Sequence, residues 1–398
     1  MNKNIFLIIY LAALTAFAPF STDIYLASMP IIQQNFHTSA SIVQLTLSLF
    51  FISFALTQLF WGPLSDRIGR KSVVLIGLVI FIIASFLCAL SHTIVLLIIA
   101  RVIQGIGACA GIVMALAMVR DFFLDSGYMP IVIGRMMAVA MIAPMIAPII
   151  GSNMLVYFGW QSNFYILAAY GIVLLFASCF IRESYPVEAR KSLPVNKIMA
   201  AYFEQFSHRP FLLITLAISA SFGTMFAFIS SSSFIYIRVY HLQAHLFGYL
   251  FAISAFAIIL GNMSIKYFKK YLGDQRTVIL GVLFAVVPAV AMFIAIHLWP
   301  HSLWAVVIPC CFITYSYGML FPILMTVALS RVLNYTGLAS SLISTSRFMF
   351  AGIISFIMGT VISHSALPLA VVFILLSLVA ATLLCCDTLF FKVKSEAE

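Results

Sequence analysis

Gly62-Pro63-Leu64-Ser65-Asp66-Arg67-Ile68-Gly69-Arg70-Lys71 joins two apolar runs, 41–63 and 72–92, and the reading of this junction decides the fold. Each run has about 20 residues, enough to cross a bilayer as a helix. Glycine and proline suit a tight turn between the helices, and the clustered charges can bond helix ends and neighbouring loops. The pattern of long apolar run and short charged break repeats to the end of the chain. The expected spans are 5–30, 41–63, 72–92, 94–120, 131–157, 161–182, 211–239, 244–267, 276–297, 301–329, 336–363 and 365–391.

Composition excludes the other classes. Of 398 residues, 64% are hydrophobic and 8% charged, with a mean hydropathy of +1.15. A soluble domain carries roughly 25% charged residues, so this chain cannot clothe a water-facing surface. Backbone groups in lipid must be satisfied internally, which leaves helices, since the short alternating strands of a barrel are absent. The first apolar stretch is long, contains Asp23 and lacks an A-x-A cleavage site, so it reads as a retained helix rather than a signal peptide. The seven cysteines lie in apolar runs without a C-x-x-C pair, which favours small core hydrophobes over metal or redox chemistry. No metal site and no cofactor are expected.

The formal charge of +10 is distributed as topology, not as a nucleic-acid surface. With a cytoplasmic N-terminus, all but three of the 21 lysines and arginines fall on the cytoplasmic side; Arg238 lies outside, and Arg101 and Arg347 lie within spans. That asymmetry places both termini in the cytoplasm. Seven of the eight histidines, all but His208, fall near the outer side, where scattered interfacial residues are the ordinary explanation. The polar segment 183–210 divides the chain into an N-terminal six-helix bundle, 1–182, and a C-terminal one, 211–398, and is itself expected as a cytoplasmic loop.

The junction at 62–71 resembles the signature loop of the major facilitator superfamily, with Gly62, Asp66, Arg67, Gly69, Arg70 and Lys71 at the matching positions. An ordinary positive-inside loop accounts for its cations but not for Asp66 with both glycines. Arg101-Val102-Ile103-Gln104-Gly105 resembles the fourth-helix motif of the same superfamily. Asp121, closing that span, can pair with Arg67 or Arg70 when the cytoplasmic face is shut. Gly107-x-x-x-Gly111 is expected to permit close helix packing. Pro144-Met145-Ile146-Ala147-Pro148-Ile149-Ile150-Gly151 resembles the fifth-helix motif of proton-linked antiporters, with Ala147 and Ser152 where that motif has glycines. Pro144, Pro148 and Gly151 would bend the helix and let a partner helix approach. Asp23-Ile24-Tyr25-Leu26-Ala27-Ser28-Met29-Pro30 resembles the first helix of the Bcr/CflA-type drug/proton antiporters, with Ala27 where that family has proline. Together the resemblances cover most of residues 1–185. They imply two pseudo-symmetric six-helix bundles, alternating access and a monomer in the bacterial inner membrane.

Three charged residues lie within spans, and such a charge costs about 2.5–3.5 kcal/mol even on insertion scales. They are Asp23, Arg101 and Arg347. Asp23 is seven residues from the expected outer end of its span, roughly 10 Å deep, and Arg101 is at a similar depth. Burial and a nearby arginine act oppositely on a carboxylate's proton affinity, so relative movement would load and release a proton. Proton coupling at Asp23, modulated by Arg101, is the leading expectation, and a static ion pair between them is the rival. Arg347, about ten residues into its span, departs from the family, which generally has an uncharged residue there. It would bind an anionic group of the substrate or hydrogen-bond helix carbonyls. Tyr25, Gln44, Gln104 and Asn153, the Ser230–Ser233 run, Tyr315 and Tyr317 are candidates to line a cavity, or else interhelical glue.

The function expected is proton-coupled export of small amphipathic compounds or drugs, driven by the proton gradient. The alternative is a dedicated exporter or importer of an anionic metabolite or siderophore held by Arg347. No G-x-x-x-x-G-K-[ST] loop supports ATP hydrolysis, and no paired acids or Ser–His set at membrane depth supports an enzyme.

Overall fold

The computed structural model describes residues 2–123, 128–186, 195–332, 336–361 and 365–386. Glu188, Arg190 and Lys191 of the central segment, and Lys392 and Lys394 at the end, fall outside them. Among the described residues the regular structure is helical: α1 (Asn2–Asp23), α2 (Met29–Asn35), α3 (Ala40–Ile68), α4 (Arg70–Ala89), α5 (Ile94–Phe123), α6 (Met129–Phe158) and α7 (Gln161–Cys179) come first. Then follow α8 (Val195–Ser207), α9 (Arg209–Ser233), α10 (Ala244–Leu298), α11 (Trp304–Ser330), α12 (Thr336–Val361) and α13 (Leu367–Cys386). At 1.5 Å per residue the 55 residues of α10 would span roughly 80 Å, far more than a hydrocarbon core of about 30 Å. Gly273, at φ 76°, breaks it into two arms. Eleven elements are long and apolar enough to cross a membrane, and dividing α10 at Gly273 makes twelve. The chain is a multi-pass membrane protein.

The chain forms two compact units, residues 1–193 with 243–252, and residues 194–242 with 253–398. In the first unit α5 is the hub, packed against α1, α3 and α4, and α1 also packs along α6. Gly105 and Gly107 make this possible: a Cβ on Gly107 would fall 2.6 Å from the Gly77 carbonyl, and one on Gly105 would collide with Ser53 and Phe50. Gly111 has ordinary contact distances, so the close packing comes from Gly105 and Gly107 rather than from the expected Gly107/Gly111 pair. In the second unit α9 is the hub, against α11, α12 and α13.

Several expectations about local structure are corrected. The first span does not end at residue 30 but continues through a 3-10 turn, Leu26–Ser28, into α2, ending at Asn35. Gly62 and Pro63 are not in a turn. The helix α3 runs through them to Ile68, and the reversal is made by Gly69 alone, at φ 97°. Only glycine adopts that conformation without strain. Part of the expected central loop is helical: α8 buries Tyr202 and Gln205 and exposes Phe203 and Phe206. Cys179, Cys385 and Cys386 are exposed on the outside of the helices rather than in a core.

Candidate functional site

The break after α1 is built by its own sequence. Pro19 removes one backbone donor from the helix interior. Ser21 bonds back to the Phe17 carbonyl at 2.6 Å and Thr22 to the Pro19 carbonyl at 3.0 Å, a competition with the ladder that bends helices. Pro30 then starts α2, where a missing N–H costs nothing. Asp23 is the last residue of α1, only 3% exposed, at the point where the helix gives way. Asn35 lies 12 residues further on, so Asp23 is roughly 18 Å from that end of the span, deeper than the sequence expectation.

Among the described residues the Asp23 carboxyl has one hydrogen-bond partner, the Thr22 hydroxyl at 3.0 Å. Thr22 has one hydrogen and two acceptors at equal distance, the Pro19 carbonyl and Asp23. An ionised Asp23 takes that hydrogen. A protonated Asp23 donates to Thr22, which then turns to Pro19. The pair therefore accommodates both states of the acid without moving a heavy atom.

Arg101 comes close but does not pair with Asp23. Its side chain is fully buried between the rings of Tyr25, Phe50 and Phe164, at 4.9, 4.4 and 5.9 Å from their centroids. Nη1 donates to Gln104 Oε1 at 2.6 Å and to the Ser21 carbonyl at 3.4 Å, and Nε donates to the Thr46 carbonyl at 3.4 Å. Ser21 is two residues before Asp23, so the cation stands level with the acid while being held by neutral acceptors. The static ion pair that equal depth allowed is not the arrangement in this structure.

The polar residues expected to line a cavity are enclosed in the packing of the first unit. Gln104 is fully buried, with its carbonyl oxygen accepting from Arg101 and its amide nitrogen donating to Ser85 Oγ at 2.8 Å. Tyr25 is also fully buried and donates to Thr46 Oγ1 at 2.6 Å, because the Thr46 hydrogen is engaged with the Val43 carbonyl. Gln44 is buried, and half-buried Asn153 bonds the Ile149 carbonyl of its own helix at 2.8 Å. Thr46 and Ser85 were not singled out from sequence, where they are two neutral residues among many in apolar spans.

Two further groups of expected residues are brought together in this unit. Arg70, not exposed Arg67, meets Asp121, with Nε 3.3 Å from Oδ2. Arg70 also reaches Asp66 at 2.7 Å, Ser65, and the face of Tyr185 at 4.7 Å. Asp121 additionally accepts from Ser184 at 2.9 Å. Glu183, which sequence reading treated as the start of a linker, accepts the backbone N–H groups of Arg70 at 2.9 Å and Lys71 at 3.4 Å. It thereby satisfies the first donors of α4 with a negative charge, the favourable sign at a helix N-terminus. On α6, Pro144 and Pro148 lie inside the helix. Gly151 approaches not a later helix but α1: a Cβ there would collide with the Ile24 carbonyl. The later segment, 243–252, is met one turn away, where Gly248 packs on Pro148 and Ile149.

In the second unit Arg347 is half-buried on α12. Its guanidinium lies 4.6, 4.7 and 4.8 Å from the ring centroids of Phe222, Phe321 and Phe348, and Nη1 donates to the Tyr317 hydroxyl at 3.3 Å. Tyr315 stacks edge-on with Phe284. The Ser230–Ser233 run is buried in α9, where Ser230, Ser231 and Ser232 bond back to helix carbonyls.

Twelve spans, the Gly69 reversal with its Arg70–Asp121 bond, and an acid at a break in the first span are now joined by a sequence match. Residues 11–356 match the family profile described as Major Facilitator Superfamily. The chain belongs to that superfamily. Its members are transporters of small molecules, not enzymes. Similar proteins include an uncharacterised MFS-type transporter YdgK of Bacillus subtilis, 29% identical over 361 residues, covering 90% of this chain and 89% of that protein. A bicyclomycin resistance protein homolog of Haemophilus influenzae is 28% identical, covering 92% of each. A multidrug resistance protein MdtL of Shewanella oneidensis is 29% identical, covering 86% and 85%. Among solved structures, a D-xylose–proton symporter superposes with a TM-score of 0.73 at 12% identity, covering 94% of this chain and 96% of that one. The nucleoside transporter NupG does so at 0.70 and 14%, covering 97% and 100%. These two share the fold with this transporter.

Proposed function

We propose that this transporter is a proton-coupled antiporter of the bacterial inner membrane, with both termini cytoplasmic. It exports small amphipathic compounds of the drug class by alternating access, as a monomer, using the proton gradient and no cofactor. The names of the relatives support the substrate class, since two of them are termed bicyclomycin and multidrug resistance proteins.

One observation carries the reading. Asp23 is a buried acid at a helix break, hydrogen-bonded by Thr22, unpaired, and level with a cation held by other groups. An ionised side chain without a counter-charge is costly at membrane depth. Uptake of a proton removes that cost, and its release restores it. Antiport then requires that Asp23 be reached from opposite sides of the membrane in the two protonation states and that proton and compound bind in alternation. The membrane field adds about 2.3 kcal/mol per charge per 100 mV to the driving force.

Purified protein in liposomes with an imposed pH gradient and an internal pH dye tests this. Compounds are first chosen by thermal shift from a panel of lipophilic cations, neutral antibiotics and carboxylates. A stabilising compound is expected to release protons down their gradient as it moves the other way. Transport of such a compound with no proton movement would contradict the reading.

A further inference from the structure

Buried Arg101 and half-buried Arg347 have the same kind of cage and different acceptors. Arg101 is surrounded by three aromatic rings and also by three oxygens, from Gln104, Ser21 and Thr46. Arg347 has three rings but one oxygen, that of Tyr317. A guanidinium offers five N–H donors. Among the described residues Arg347 makes one bond, its Nε is buried without a partner, and no carboxylate answers the charge. A charge at this depth is ordinarily paired or devoted to a ligand.

Tyr317 completes the arrangement. Its oxygen accepts from Arg347 Nη1, which leaves its own hydrogen to give. The Arg347 guanidinium and the Tyr317 hydroxyl thus bring donors together at one place, rimmed by Phe222, Phe321 and Phe348. A planar guanidinium with a hydroxyl beside it suits the two oxygens of a carboxylate, and the rings suit an apolar body attached to it. Phosphate would carry more charge than this single cation offsets.

We infer that Arg347 and Tyr317 form a binding site for the carboxylate of a monoanionic or zwitterionic substrate with an apolar body. The site deepens the export reading and rests on it for the direction of transport. Binding itself does not depend on proton coupling.

The test uses full-length protein in detergent and matched probes, benzoate and hexanoate against benzamide and hexanamide, read by thermal shift and titration. The carboxylates are expected to stabilise the wild type, and the amides to bind at least about ten-fold more weakly. Arg347→Gln should abolish the preference. Arg347→Lys should weaken it, because an ammonium lacks the planar fork. Tyr317→Phe removes one hydroxyl from a folded protein and should reduce carboxylate affinity about five- to ten-fold. Equal binding of acids and amides, or an unchanged preference in Tyr317→Phe and Arg347→Lys together, would overturn the site. Asp23→Asn is expected to keep carboxylate binding. Proton flux that fails while this preference survives counts against the antiport reading alone, and the reverse result counts against the carboxylate site alone.

Discussion

Gly151 of α6 lies against the carbonyl of Ile24, the residue immediately after Asp23. The backbone that carries the acid is thereby fixed by the absence of a side chain on another helix. Gly151→Ala would put a methyl group onto that carbonyl and force α1 and α6 apart. Overpacking of this kind costs about 1–3 kcal/mol. A lower melting temperature with at least a ten-fold loss of transport is expected, measured in detergent and in liposomes. Unchanged transport would show that the seat of Ile24 is not needed.

Arg101 depends on Gln104 for its shortest bond, 2.6 Å. Gln104→Leu keeps the bulk and removes the acceptor, leaving the cation short of partners and Ser85 without its donor. The expected loss is about 1.5–3 kcal/mol, the range for a hydrogen bond to a charged group. Unfolding of the purified variant measures it. A loss well below that range would mean that the aromatic cage alone suffices for Arg101.

Glu183 holds the N-terminus of α4 through the N–H groups of Arg70 and Lys71. Glu183→Gln keeps an acceptor and removes the charge. The helix end should lose about 0.5–1 kcal/mol, equivalent to roughly two- to five-fold faster hydrogen exchange over residues 70–73. Exchange confined to the wild-type rate would assign the cap to geometry rather than charge.

On the same face, Asp121→Asn should loosen Arg70, whose other partners are Asp66, Ser65 and the ring of Tyr185. A thiol probe at a cysteine replacing exposed Arg67 is expected to react faster in that background. An unchanged rate would mean that the Arg70–Asp121 bond does not hold this face.

The spans were legible because the bilayer sets one length and tolerates few charges, and Asp23, Arg101 and Arg347 stood out for the same reason. The choice of Arg70 over Arg67 was not legible, since both lie in one short loop and only the fold decides which faces Asp121. The turn was assigned to Gly62 and Pro63 by their reputation as helix breakers. Proline inside a membrane helix is tolerated where neighbouring groups satisfy the carbonyl it frees, and one residue at positive φ, Gly69, makes the reversal. Glu183 was hidden by its neighbourhood, because an acid just past a span reads as linker until its carboxylate is seen on α4. The enclosure of Gln104 was equally invisible, as the partners that satisfy it come from α4 and from its own helix.

Proton coupling at Asp23 is tested most directly by comparing two modes of transport in Asp23→Asn. Liposomes loaded with a compound chosen by thermal shift are assayed for exchange of labelled against unlabelled compound, and separately for uphill movement driven by a pH gradient. The expected result is that exchange persists, showing a folded protein, while gradient-driven accumulation and the accompanying proton flux disappear. Accumulation and proton flux at the wild-type level in Asp23→Asn would contradict it.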